Sequence, residues 1–341
     1  MLLAHGHEVH FFQKRRFGRR AQSEQPSESL TLHSGGHLLH HQLKIVPLLN
    51  RIDAAFLTSM IKRQVSVNDD DVILSFCYDF FFLREKFPNN AIVHVVNDDY
   101  ISAAIAPHKR SARRLLHQSA TGADYNLVVS YLIERQIREA TDKVSLFFPW
   151  ARHRYETPTP GLPRPDVLYW GYINERIDES VVQGIMDAGT TIHFVGSITE
   201  SEMTKRVLSH ANARVYEPTP LEALEEVRSR CCCALIPYDL TNPYNPAVTI
   251  SNRGFELLSF GFPLVFSNLP NVLEAPPGLI YRYADTADCL SKIDSIRQSF
   301  DRAQPAIAEF LVDHTVDRRY EQLMQTVNAA REARGASSVS P

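Results

Sequence analysis

Short apolar runs alternate with amphipathic stretches along almost the whole chain, and this rhythm restricts the fold more than any other feature. Val72–Phe76, Ala91–Val96, Tyr125–Ser130 and Val144–Phe148 read as strands, with helical stretches near Phe80–Lys86, 109–120 and 131–140 between them. After residue 165 the rhythm resumes. Strands are expected at Val167–Gly171, Thr191–Val195, 232–236 and Pro263–Phe266, and helices at 178–188, 220–229, 252–260 and 285–299. Strands alternating with helices imply parallel, doubly wound sheets, an α/β class. Between the two series lies Thr157–Pro165, Pro-rich, polar and unable to join either sheet, which makes it the expected linker. No short internal repeat is present, which excludes a solenoid.

A length of 341 residues suits two domains at roughly 150 residues each. The net charge of −3 and pI near 6.5 give no basic footprint, so no nucleic-acid partner is expected. No apolar run approaches the ~18 residues of a membrane span, and the first residues do not read as a signal peptide. Five cysteines are present. Cys231, Cys232 and Cys233 are adjacent, so on a strand they point to alternating faces and cannot all converge on one metal. Core packing is their expected role, and free thiols suit a reducing cytoplasm. Residues 17–42 are polar, with His33, His37, His40 and His41. Their spacing could gather imidazoles, but the cluster holds no carboxylate or thiol; a mobile loop is expected and no metal site.

Residues 251–265 read as a loop, a short helix, a Gly-x-Pro stop and a buried strand. Ser251 is a good N-cap, Gly261 a C-cap, and Pro263 cannot continue the helix. Arg253 and Glu256 are spaced i, i+3 and share a face. Free N–H groups and the helix dipole make such an N-terminus an anion site, though a surface ion pair is an equal alternative from these residues alone. Ligands of open α/β sheets sit outside the carboxyl ends of the strands. That rule selects Cys77–Asp79, Asn97–Tyr100 and Ser130 in the first half. In the second it selects Gly171–Arg176, Gly196-Ser197, Pro237–Ala247 and the Arg253/Glu256 helix. Asp98 and Asp99 are either a solvated turn or cap, or acids placed to bind an acceptor or act as a base.

The 251–265 stretch resembles the Pro-Asn-Lys-x-x-Glu-Tyr-Leu-Ala-x-Gly-x-Pro-Val-Val signature of nucleotide-sugar-dependent GT-B glycosyltransferases, family 4 (group 1 type) in particular. Arg253 falls on its Lys, Glu256 on its Glu, and Gly261 and Pro263 on its Gly-x-Pro; Ser251 replaces its Pro. Leu2–Phe12 is similar to the Leu-Ala-x-x-Gly-His-Glu-Val passage that enters the second strand of such enzymes. Ser130–Arg135, Leu146–Trp150 and Gly171–Asp178 match further passages. The resemblance implies two Rossmann-like doubly wound domains facing a cleft. An acceptor domain would occupy 1–160, lacking its first strand and so of doubtful activity as written. A donor domain would occupy 166–302, and a helical segment, 303–333, would cross back to the first.

The activity implied is transfer of a sugar from a nucleoside-diphosphate sugar to a saccharide or glycolipid acceptor, with retention, no cofactor and no metal. The implied location is the cytoplasm, open to peripheral association with the inner face of the membrane. Donor contacts would come from Gly171, Arg176, Gly196, Tyr238, Ser251, Asn252, Arg253 and Glu256, with Glu256 on the ribose; Asp98, Arg253 and Glu256 are the catalytic candidates. Three positions depart from the pattern. Tyr172 stands where many relatives carry an Arg, Val248 where the first acid of a Glu-x7-Glu pair belongs, and Asn97 where a His is common. Tyr172 and Val248, with the missing first strand, keep a second reading open: a non-catalytic or degenerate GT-B module binding a nucleotide sugar or a partner subunit. A sugar-nucleotide epimerase of the same architecture is disfavoured, because its His/acid set is not recognisable.

Overall fold

Runs rich in Val, Ile and Leu that are buried on both faces can satisfy their backbone groups only in a ladder, and here those ladders are mostly parallel. The structure is a computed structural model. It describes residues 1–15, 22–36, 46–104, 106–242, 245, 248, 251–269 and 273–335. The chain divides into two compact units, one made of Met1–Phe147 with Asp317–Pro341, the other of Phe148–Val316.

In the first unit β1 (Val9–Arg15) runs parallel to β3 (Leu30–Gly36), and β2 (Gln22–Ser27) pairs with β3 antiparallel. The stretch expected as a loop therefore contains two strands. His33 is buried on β3, its Nε2 3.0 Å from His10 Nδ1, and His37, His40 and His41 lie outside the described residues. Helix α1 (Pro47–Gln64), unmarked by the sequence reading, carries Pro at its start, where no N–H is needed. A parallel sheet of order β4-β5-β6-β7 follows: Val72–Ser75, Ala91–Val96, Tyr125–Val128 and Val144–Leu146. Its connections carry α2 (Leu83–Lys86), α3 (Tyr100–Ala103), α4 (Lys109–Gly122) and α5 (Tyr131–Arg138). Val96, Leu116, Val128, Ile133 and Ile137 form one fully buried cluster between sheet and helices.

The second unit holds a six-stranded, wholly parallel sheet. Its strands are β8 (Asp166–Trp170), β9 (Ile192–Val195), β10 (Ala213–Tyr216), β11 (Cys231–Ile236), β12 (Leu264–Ser267) and β13 (Ile280–Tyr283). The spatial order is β10-β9-β8-β11-β12-β13. Counted from β8, that is 3-2-1-4-5-6, so the winding direction reverses between β8 and β11. The helices are α6 (Glu179–Asp187), α7 (Glu202–Leu208), α8 (Glu225–Arg230), α9 (Asn252–Ser259) and α10 (Thr286–Val312). The helix expected at 285–299 thus continues through Pro305, and the break before α11 (Val316–Glu332) falls near residue 314. Cys231, Cys232 and Cys233 are fully buried on β11, with a register shift between Cys231 and Cys233.

The Pro-rich stretch lies inside the second unit and is laced to it. Glu156 N–H donates to Ser259 O, Arg164 donates to the carbonyls of Arg228 and Cys231, and Arg297 donates to Pro165 O. It is a structural strap, not a free linker, because the stretch and the flanking Glu156 find hydrogen-bond partners on α8, α9 and α10.

Candidate functional site

The reversal point between β8 and β11 is where an open parallel sheet leaves a crevice at its carboxyl edge. Two glycines shape it. Gly171, just after β8, has φ +147°, and Gly196, just after β9, has φ +148°, a region L side chains rarely adopt. A Cβ on Gly196 would lie 1.9 Å from the Gly171 carbonyl oxygen, and one on Gly171 would lie 2.4 Å from Arg253 Nη1. The two loops therefore touch backbone to backbone, and the Arg253 guanidinium lies directly on Gly171.

Arg253 enters from the first turn of α9. Its Nη1 donates to Trp170 O at 3.4 Å and its Nη2 to Tyr238 Oη at 3.2 Å. The rings of Tyr169 and Tyr238 flank the guanidinium, at 5.9 and 5.7 Å from centroid to Cζ. Burial raises the Tyr169 hydroxyl pKa, with the Arg253 charge pulling the other way. Among the described residues no carboxylate pairs with Arg253, and the surface ion pair with Glu256 does not form. A partly buried cation without a counter-ion carries a desolvation cost that an anion would relieve.

Arg176 reaches the same corner. Its guanidinium stands 5.6 Å from the Tyr238 ring, and its Nε donates to Asn245 Oδ1 at 2.8 Å. Asn245 is fully buried and returns two bonds, from Nδ2 to the carbonyls of Arg176 and Asp239. The structure thus brings Gly171, Gly196, Tyr238, Arg253 and Arg176 together. The sequence selects Pro237–Ala247 as a whole; the structure shows that Asn245 within it is the bracket.

Ser251 occupies the N-cap position with extended backbone, but its side chain accepts no bond from the helix; both Ser251 and Asn252 are exposed. At the other end Gly261 N–H bonds to Leu258 O and Phe262 N–H to Leu257 O, the paired bonds of a Schellman stop. Glu256 turns away from Arg253. It is 3% exposed, with Oε2 accepting from Arg152 N–H at 3.1 Å and Oε1 3.0 Å from His153 Nε2. His153 Nε2 also lies 2.7 Å from Glu222 Oε1. The resemblance implies Glu256 in the site; Arg152 and His153 sit over a hundred positions upstream with no motif to mark them.

Asp98 belongs to the first unit. It is exposed, yet partial desolvation raises its carboxyl pKa. Asp99 is buried and caps α3, accepting from Ser102 N–H and from Gln136 Nε2, both at 3.0 Å. The two adjacent acids therefore separate into one structural cap and one group open to solvent. Among the described residues no group of three His, Cys, Asp or Glu side chains could hold a metal ion.

No family model matches the chain, and no curated protein matches it by sequence. Solved structures do. A sucrose-phosphate synthase from Thermosynechococcus elongatus superposes with a TM-score of 0.72 at 13% identity, covering 97% of this chain and 91% of its own. HepE from Anabaena, in complex with UDP and glucose, gives 0.58 at 10% identity over 87% and 85%. TarM from S. aureus, a mutant in complex with fondaparinux, α-GlcNAc-glycerol and UDP, gives 0.55 at 10% identity over 81% of this chain and 59% of that one. The chain has the GT-B fold that these structures share.

Proposed function

We propose that the chain is a glycosyltransferase that takes a sugar from a nucleoside-diphosphate donor and passes it to a saccharide or glycolipid acceptor. The observation that carries this reading is Arg253, a cation with no carboxylate partner among the described residues, seated on Gly171 at the reversal point of the sheet. Its guanidinium offers planar paired donors that suit phosphate oxygens, with Arg176 adding a second positive charge. Stabilising the diphosphate as charge builds on the leaving group is the chemical contribution such a pair makes. Two of the similar structures contain UDP, which supports a diphosphate at this edge. Retention of configuration follows from the family resemblance. Asp98 is the proposed group on the acceptor side.

In this reading Glu256 faces the ribose, with Oε2 already engaged by Arg152 and Oε1 by His153. That commitment, with Tyr172 and Val248 in place of a cation and an acid, favours the second reading, a GT-B module that binds nucleotide sugar without turnover. Calorimetry with UDP and with uridine tests the site. Arg253→Gln should weaken UDP by about 1.5–3 kcal/mol, the scale of a charged hydrogen bond, and leave uridine nearly unchanged. Equal weakening of both ligands would mean that Arg253 supports the fold and not the phosphates. Donor binding without any donor consumption, across a panel of sugar nucleotides and acceptors, would select the module.

A further inference from the structure

Two acids meet on one imidazole nitrogen beside the donor crevice. His153 Nε2 lies 2.7 Å from Glu222 Oε1 and 3.0 Å from Glu256 Oε1. A ring nitrogen carries at most one proton, so the two carboxylate oxygens must share it. Carboxylates this close repel one another, and a contact that served the fold alone would need one acid, not two. The acids are also unequal. Glu256 is buried and both of its oxygens are engaged, Oε2 by the Arg152 N–H and Oε1 by His153. Glu222 is exposed, and among the described residues no group bonds its second oxygen, Oε2.

The local fold places this pair at the crevice. Glu222 sits in the short 3₁₀ turn Leu221–Ala223, after β10 leaves the sheet at its carboxyl edge. Pro218 and Pro220 stiffen that loop, and Leu221 is buried. Trp170 ties the loop to the crevice. Its indole Nε1 donates to Thr219 O at 3.0 Å, and its carbonyl accepts from Arg253. Along α9, Glu256 follows Arg253 by three residues, about 4.5 Å of rise. A nucleotide with its diphosphate on Arg253 can therefore present its ribose to the acids. His153 is held by its neighbours. Its ring packs on Phe260 at 5.7 Å between centroids, the Arg228 guanidinium lies 4.5 Å from the same ring, and Glu156 pairs with Arg228.

We propose that Glu222 shares the ribose with Glu256, its open oxygen accepting one of the two ribose hydroxyls, and that His153 is the positioning residue that holds the two acids together. The proposal rests on the nucleotide-donor reading and adds a specificity to it, for ribonucleotides over their deoxy forms. A ribose offers two adjacent hydroxyl donors. A site with one carboxylate for each rejects a sugar lacking either, because the acceptor left without its hydroxyl stays desolvated and unpaired.

Calorimetry of the full chain with UDP, and with the two UDP analogues that each lack one ribose hydroxyl, tests it. The parent should bind UDP about tenfold or more tightly than either analogue, the scale of a hydrogen bond to a charged group. In Glu222→Ala, UDP should weaken by a similar factor. One analogue should then bind as well as UDP, since the hydroxyl it lacks has lost its partner. His153→Ala should lessen the same preference, whereas His153→Gln, whose amide can donate from the place of Nε2, should keep it. Glu222 is exposed, so circular dichroism of Glu222→Ala should match the parent. A parent indifferent to both hydroxyls, or Glu222→Ala keeping the parent's preference over both analogues, would overturn the proposal. So would His153→Ala that lowers the thermal midpoint and leaves the preference intact, which would make the bridge a staple of the Pro-rich strap. Failure of the donor reading looks different: the parent would bind UDP no better than uridine, and that result removes both claims.

Discussion

His94 shows how far one residue's chemistry can be derived from its neighbours. Ser75, His94 and Asn126 stand side by side on β4, β5 and β6, in register with one another. Asn126 Nδ2 donates to the carbonyls of Ala120 and Lys143, so its Oδ1 is the atom 3.1 Å from His94 Nδ1. Nδ1 must then carry the proton, which leaves Nε2 as a bare acceptor, buried and without a partner. Burial outweighs the Asn126 bond and lowers the His94 pKa to about 4. An unfolded histidine titrates near 6.5, so below that value the unfolded chain binds a proton the folded one refuses. The contribution is present in full above pH 6.5 and is lost as the pH falls through the window from 6.5 to 4. A gap of this size corresponds to about 3 kcal/mol. Urea unfolding of the parent and of His94→Gln, measured from pH 7 to pH 4, should show the parent losing more stability by that order. Parallel curves would mean that His94 takes up its proton in the fold as readily as in the unfolded chain.

At the scale of elements, the site depends on two loops meeting without side chains between them. With a Gly196 Cβ placed 1.9 Å from Gly171 O, Gly196→Ala must push the loops apart, and the displaced atom is backbone, which yields least. Forcing a side chain into that conformation costs on the order of 1–3 kcal/mol in stability. UDP affinity should fall with it, because Arg253 rests on Gly171; calorimetry showing unaltered UDP binding in Gly196→Ala would detach the loop contact from the site. Much of this arrangement was legible in the sequence. β8, β9, β11, β12 and α9 are apolar runs or capped helices, so burial and periodicity announce them, and the glycines fall where strands end. β10 and β13 were not legible. Both are four-residue edge strands whose exposed positions include Arg214 and Arg282, so no apolar run marks them. α1 escaped because its apolar residues are divided, Leu48, Ile52 and Phe56 exposed and Ala54 and Leu57 buried, so no single apolar face marks it. The partners of Glu256 were hidden because a contact between positions 153 and 256 leaves no trace in local spacing.

Over the whole molecule, chain continuity separates the two units. The second is one uninterrupted stretch, 148–316, with its own six-stranded sheet and a core built around Phe194, Ile185, Val265 and Ile296. The first is discontinuous and takes α11 from the far end of the chain. Tyr320, Leu323, Met324, Val327 and Ala330 of α11 are buried, the Tyr320 hydroxyl lies 2.7 Å from His7 Nε2, and Gln322 donates to Leu146 O. Beyond the helix, Arg334 joins Arg84 on the Asp124 carboxylate, itself 4% exposed and also accepting from Ile92 N–H. Asp124 keeps Arg84 and the Ile92 N–H when Arg334 is lost, so the larger loss is the buried apolar face of α11, weighed against the ~5–15 kcal/mol a domain has. Removing residues 317–341 strips Arg334 and the apolar face of α11 together, so the first unit should no longer fold. In differential scanning calorimetry, residues 148–316 alone should keep a cooperative transition, whereas residues 1–147 alone should show none. Adding α11 back to 1–147 through a flexible tether should restore one. A cooperative transition for 1–147 without α11 would show that the helix decorates this unit instead of completing its core.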